Sequence, residues 1–444
     1  MPDHERHDDE RLFAPVMRVG RGFWMLAACA GVLGFLGLVA WLVQLRRGLS
    51  VTGLNVPVYW GLYITHFVFF IGISHAGTLI SAILRLSNAE WRRPITRAAE
   101  VITVLVLFFG MGCILLDLGR PDRALFVLRH ANLRSPLLWD VIAVTTYLTA
   151  STIYLYLPLI PDIALLRDRL PQRRWLYRPL SLGWAGTPRQ QRILHRAISV
   201  MAVLVIPIAV SVHTVVSWVF AMTVQPMWHS TIFGPYFVVG AIFSGIAAII
   251  LATAIVRRAY RLEAYLKPVH FDNLGILLLV MACLWFYFTF AELLTTYYGA
   301  EPSHMAVFLS KTEGRFAPSF WTMIVACFVV PVALLARRRT RATVWATVVA
   351  ALSVEIGMWL ERFLIVVPSL SVPRLPMEAA PYAPSWVEWS LFAAFVGVFV
   401  LLYAVFTKLF PIVSIWEVRE GRDRSIADVA RRVESYLPDG GAGP

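Results

Sequence analysis

From Ala197 to Val256 the chain runs for 60 residues without one Asp, Glu, Lys or Arg. About 20 apolar residues cross the ~30 Å hydrocarbon core of a bilayer, so a stretch this long reads as two membrane helices and the turn between them. It also holds His213, Ser217, Gln225, His229 and Ser230. Ionisable side chains at such depth are costly, and they mark ion, proton or ligand paths.

The rest of the chain has the same character. A mean hydropathy of +0.67 and 58% hydrophobic residues exclude a soluble domain. Hydrophobic runs predict ten spans, near 22–45, 56–84, 97–118, 136–160, 194–222, 231–256, 271–298, 318–336, 342–367 and 386–410. The expectation is therefore an all-α polytopic membrane protein. It has an N-terminal segment at 1–21, an integral domain at 22–410 and a polar tail at 411–444. The first span, too long for a signal-peptide core, reads as an uncleaved anchor.

Of the 40 Lys and Arg residues, 29 fall in the N-terminus, the tail and the 2–3, 4–5, 6–7 and 8–9 connections. The alternate connections hold 9, which predicts that both termini are cytoplasmic. The net charge of +13 then sits where topology requires it. Anionic lipid headgroups, rather than nucleic acid, are the expected counter-charge. Cys29, Cys113, Cys283 and Cys327 all lie inside predicted spans without a Cys-x-x-Cys spacing, which argues against disulfides and a resident iron–sulfur cluster.

A weak repeat is visible. Gly61, Tyr63, Gly72 and Arg85 match Gly234, Tyr236, Gly245 and Arg258 at one offset of 173, and Ser211-Val-His213 matches Ser353-Val-Glu355 at 142. Spans 2–5 (about 56–222) and 6–9 (about 231–367) are expected to be two related four-helix bundles, with spans 1 and 10 peripheral. The Arg- and Pro-rich 4–5 connection reads as a topology signal, and Ser425 with Asp428 as a capping box for a short helix in the tail.

Polar residues sort by expected depth. Asp117, Asp140, His213, His229, Glu292, Glu361 and Arg362 fall toward the outer face. His75, His195 and Asp272 fall toward the cytoplasm, with His66 and Glu355 between. An outer cluster of acids and His suits quinol oxidation, which releases two protons and needs nearby acceptors. Successive residues on a helix point about 100° apart, so Arg362 is expected to face Asp117 or Asp140 rather than Glu361. His66, His75, Asp272, Glu292 and Glu355 are candidate proton-path residues. Duller roles stand beside these: caps or snorkelling charges for Asp117, Asp140 and Arg362, an interhelical hydrogen bond for His213, and an interfacial belt for Trp218, Trp228, Trp386 and Trp389. Other classes that fit the pattern are a cofactor-free anchor and proton conduit, a secondary transporter, and a b-type cytochrome ligated by His213 with His66 or His75.

Several motifs in order carry a family resemblance: Leu-Asp117-Leu-Gly-Arg-Pro121, Ser135-Pro-Leu-Leu-Trp-Asp140, Ser-Val-His213-Thr-Val-Val-Ser-Trp, Trp228-His-Ser-Thr-Ile-Phe-Gly-Pro-Tyr and Gly357-Met-Trp-Leu-Glu361-Arg362-Phe-Leu-Ile-Val-Val-Pro. Together they resemble the NrfD/polysulfide reductase membrane-subunit family. The span 9 motif and the Ser-Ile-Trp-Glu-Val ending look most like the quinol-reactive subunits of alternative complex III. Asp117 stands where those subunits would carry His, and Val219 where they would carry an acid.

The resemblance implies a haem-free membrane subunit that binds quinone, menaquinone or ubiquinone, near the outer face of a bacterial inner membrane. By resemblance Asp117, Asp140 and Arg362 become the quinone-site candidates, to which the outer polar cluster adds His213 and Glu361, with no metal expected in this chain. It also implies an iron–sulfur partner on the outer face. A molybdopterin-type subunit, a multihaem cytochrome, a second subunit of the same family and proton translocation are left open.

Overall fold

The computed structural model describes residues 12–17, 19–373 and 380–422, and every regular element among them is helical. The Ser425 capping box lies outside the described residues. Nine helices among them are long and apolar enough to cross a membrane: Arg21–Val51, Leu62–Leu86, Thr96–Asp117, Pro136–Arg169, Pro188–Ala221, Phe233–Ala259, Pro268–Gly299, Ala317–Leu335 and Trp386–Leu409. The other predicted span, the ninth in order, is the 28-residue helix Val344–Ser371, which carries Glu355, Glu361 and Arg362. The helices keep the numbers of the predicted spans.

Span 2 packs on spans 3 and 5, span 3 on span 4, and span 4 on span 5. The same ring of contacts recurs in spans 6 to 9. Span 6 lies against both span 2 and span 5, and span 9 also touches span 2, so these helices form the seam of the molecule. Two glycines make the seam close. A side chain at Gly72 would meet Ser244 of span 6, and one at Gly245 would meet the Ala76 backbone of span 2. Close backbone approach through small residues is how helices associate where lipid offers no hydrophobic drive. Spans 1 and 10 pair along Gly37 and Ala394, with span 10 also resting on span 3.

Two helices are broken at depth. Span 2 passes from Leu62–Ile73 through a 3-10 turn, Ser74–Ala76, into Thr78–Leu86. The freed groups are taken up by neighbours, as backbone at membrane depth requires. Thr103 Oγ1 donates to Ser74 O (2.6 Å) and accepts from Gly77 N (2.9 Å), and Tyr147 Oη donates to Ser74 O (3.0 Å). In span 8 a π-helical turn, Val325–Val329, precedes Pro331. Proline lacks the N–H for the carbonyl four residues back and crowds it, and the widened turn seats Cys327 against Gly357 of span 9.

The two described terminal segments meet on one face. Lys408 Nζ donates to Pro15 O (3.0 Å), and Arg169 lies over the Phe13 ring. Residues 411–422 turn back from span 10 onto the ends of spans 2, 3 and 4. The 4–5 connection joins them, with Tyr177 Oη donating to Leu409 O (2.9 Å). We term this the terminal face, and the opposite one the distal face.

Candidate functional site

The terminal face holds the best-paired charges. Arg97, 1% exposed, donates to the Asp162 carboxylate (2.6 Å), Pro158 O (2.8 Å), Pro411 O (3.0 Å) and Ser414 Oγ (3.0 Å). Asp162 also accepts from Ile415 N (3.0 Å) and Trp416 N (3.1 Å). Pro158 and Pro161 interrupt the regular bonding of span 4, and there the Pro158 oxygen accepts from both Arg97 and Trp416 Nε1 (2.7 Å). Glu417 pairs with Arg85 and lies 3.6 Å from Arg92, while its backbone oxygen accepts from Arg93. Burial alone would raise the Glu417 carboxyl, but Arg85 and Arg92 outweigh it and hold the group below its ordinary value. Asp272, a predicted proton-path residue near this face, is held by Arg341 at 2.7 Å. His195 is partly exposed, 3.9 Å from Glu420.

The interior is the opposite. The break in span 2 turns His75 toward span 5, where its ring meets that of His213 at 3.8 Å between centroids, edge to face. The two therefore share one level. This corrects the expected sorting of His75 toward the cytoplasm and His213 toward the outer face, because the break lies midway along span 2. The Ala209 carbonyl approaches both rings, yet none of their four nitrogens makes a hydrogen bond. Rings in direct contact leave no space for a haem plane between them, so this pair does not fit the bis-histidine arrangement. His66 lies flat on Phe392 (3.8 Å), with Trp359 beyond.

Arg362, 1% exposed, reaches across the seam beneath Phe237 (5.3 Å). A side chain at Gly240 would sit 2.8 Å from its Nη2. Its nearest acid is Glu361, at 2.7 Å, rather than Asp117 or Asp140 as expected. The 100° offset of adjacent residues does not prevent this contact, but it spoils the angles. Neither Glu361 carboxylate oxygen nor either terminal nitrogen of Arg362 makes a hydrogen bond.

Glu361 also lines a partly open cavity among spans 6 to 9, walled by Trp228, Phe233, Tyr236, Glu292, Phe320, Met323, Leu364 and Lys311. Glu292 accepts from Ser230 there (2.6 Å). Lys311 belongs to the short helix Pro302–Thr312, and its ammonium faces Glu292 and Glu361. Trp228 is no belt residue: it is 1% exposed, donates from Nε1 to Ile365 O (2.8 Å) and stacks on Trp60. The Ile365 carbonyl lies within one turn of Pro368, whose ring crowds the preceding turn and whose missing N–H leaves the helix short of a donor there. Trp218, Trp386 and Trp389 are exposed, and His229 is exposed 6.1 Å from His304.

The remaining predicted residues stand apart. Asp117 has Glu388 as its charged neighbour, in a network that hydropathy gives no sign of. Tyr382 Oη donates to Glu388 (2.6 Å), Tyr63 Oη to Gln44 (2.5 Å) and Gln44 to Leu116 O (2.8 Å). Asp140 is buried on span 4 with Oδ1 unpartnered, and both Glu355 oxygens lack partners. Among the described residues no group of three His, Cys, Asp or Glu is arranged to hold a metal. Lys311 and Glu388 are residues the sequence analysis did not single out, although each is a charge in or beside a predicted span.

Comparison with known proteins gives one consistent picture. The family model "polysulphide reductase, NrfD" matches residues 50–373. A putative dimethyl sulfoxide reductase membrane subunit of Halobacterium salinarum is 31% identical over 56% of this chain and 56% of its own length. A selenate reductase subunit of Mesobacillus selenatarsenatis is 24% identical over 86% of this chain and 92% of its own. The Hdr-like menaquinol oxidoreductase integral membrane subunit of Archaeoglobus fulgidus is 23% identical over 90% of this chain and 95% of its own.

Proposed function

The chain belongs to the NrfD polysulphide reductase family, and we propose that it is the quinone-reactive membrane subunit of a bacterial respiratory oxidoreductase. Quinol or quinone binds near the distal face, which is the outer one, and both termini are cytoplasmic. Electrons pass to or from an iron–sulfur partner docked on the outer face. Menaquinone is the favoured quinone, because two relatives are named for it.

The observation that carries this reading is the contrast between buried groups that are paired and those that are not. Asp140, Glu355, Glu361, His75 and His213 are buried polar groups with unpartnered atoms inside an apolar bundle. Unpartnered buried groups are expensive and persist where a ligand or a proton needs them. Quinol oxidation supplies that need: two hydroxyls must each find an acceptor as two electrons leave. Of the candidate proton path, His66, His75, Glu292 and Glu355 remain in this reading, since Asp272 is occupied by Arg341. We read spans 2–5 and 6–9 as two related bundles, on the strength of their matching rings of contacts.

Asp140→Asn keeps shape and removes the proton acceptor. Quinol-dependent turnover per assembled complex should fall by about 10²–10⁴. Turnover equal to wild type would take Asp140 out of the mechanism.

A further inference from the structure

The cavity among spans 6 to 9 is not where the family motifs around Asp117 and Asp140 point, and it has chemistry of its own. Its walls are largely apolar, and it is open on one side. It holds one ammonium, from Lys311, and two carboxylates, from Glu292 and Glu361. Glu361 is 1% exposed; Arg362 lies 2.7 Å from it and Tyr236 and Trp285 stand beside it, yet none of them makes a well-aligned hydrogen bond to its oxygens. Trp228 and Tyr236 present flat aromatic surface beside them.

We propose that this cavity binds the headgroup of a quinone-class lipid, with the Lys311 ammonium donating to one ring oxygen and the Glu361 carboxylate accepting from the other when it is a hydroxyl. The proposal rests on the quinone reading above and adds a second headgroup position, apart from the one at Asp140, and the cation met there. A flat, neutral ring bearing oxygens at opposite ends offers an acceptor to Lys311 and a well-aligned donor to Glu361 at once. A phosphate headgroup fits poorly, since it would face two carboxylates for one ammonium.

Half-buried Lys311 suits a group whose charge follows the ligand. Burial pulls its pKa down to about 8, while Glu292 and Glu361 oppose the fall. The helix that carries it, Pro302–Thr312, packs on spans 7, 8 and 9. Lys311 therefore approaches the cavity from the connection between spans 7 and 8, while Glu361 approaches from the membrane interior.

The test uses the assembled complex in native membranes and a short-chain azido-quinone, followed by peptide mapping. Labelling of the segments around 227–233 or 307–323, abolished by excess unlabelled quinol, is the expected result. Lys311→Met should raise the KM for quinol about 10-fold or more with a smaller change in kcat, and Lys311→Arg should restore part of it. Labelling confined to the neighbourhood of Asp117 and Asp140, or an unchanged KM in Lys311→Met, would overturn the cavity assignment while leaving the quinone reading standing. If Lys311→Met fails to assemble, the labelling pattern of the wild type decides alone. Neither quinol turnover nor competed labelling anywhere in the complex would sink both.

Discussion

The terminal face and the interior use similar residues in opposite ways. At the terminal face Arg97 makes four hydrogen bonds and Asp162 accepts from both Arg97 and two backbone amides. In the interior, Arg362 of span 9 has a carboxylate 2.7 Å away and no hydrogen bond from either terminal nitrogen. A charge held by several hydrogen bonds in a dry place fastens helices together, whereas one whose end group makes none is held ready for something else. Burial alone does not distinguish the two, since Arg97 and Arg362 are equally hidden.

The largest effect should come from breaking the paired face. Arg97→Leu leaves Asp162 buried without its cation, a loss of about 3–5 kcal/mol, read as a fall in melting temperature and yield in detergent. An unchanged melting temperature would mean that the paired face does not fasten the bundle. A middle effect is expected at Glu417. Its carboxyl is held below its ordinary value of 4.5, so its stabilisation is complete above that value and is lost as pH falls through the depressed one. Glu417→Gln should cost about 1–3 kcal/mol near neutrality and remove that share of the acid sensitivity. Melting curves of variant and wild type that stay parallel from neutral to acid pH would contradict it. The smallest effect should come from the unpaired interior. His66→Phe keeps the stack on Phe392 and deletes an unpartnered Nε2, so stability should move by less than about 1 kcal/mol. A loss as large as that of Arg97→Leu would erase the distinction between the two regions.

The membrane character, the helices and their order were legible because hydropathy acts over about 20 residues at a time and each span repeats the signal. Pairing was not, because it depends on rotation and depth. Arg85, Arg92, Arg93 and Arg97 count as topology signals in the sequence, and the same four face Asp162, Glu417, Glu420 and Glu90 in the fold. Those two roles share one set of residues, so the charge count conceals the ion pairs. The level of His75 was not legible because a break such as Ser74–Ala76 leaves little trace in a hydrophobic run beyond Gly77. Trp228 looks interfacial by its place near a turn, yet that turn folds inward over the cavity.

The docked segment after span 10 also has a consequence in time. Arg97 and Ser414 are 317 residues apart, which at about 5–20 residues per second puts on the order of 15–60 s between their emergence from the ribosome. For that interval the arginines at the ends of spans 2 and 3 are already made while the stretch bearing Ser414, Ile415, Trp416 and Glu417 is not. A stretch translated after every span thus completes the packing of spans 2, 3 and 4, and an interrupted product would carry an open basic mouth where the finished one is closed.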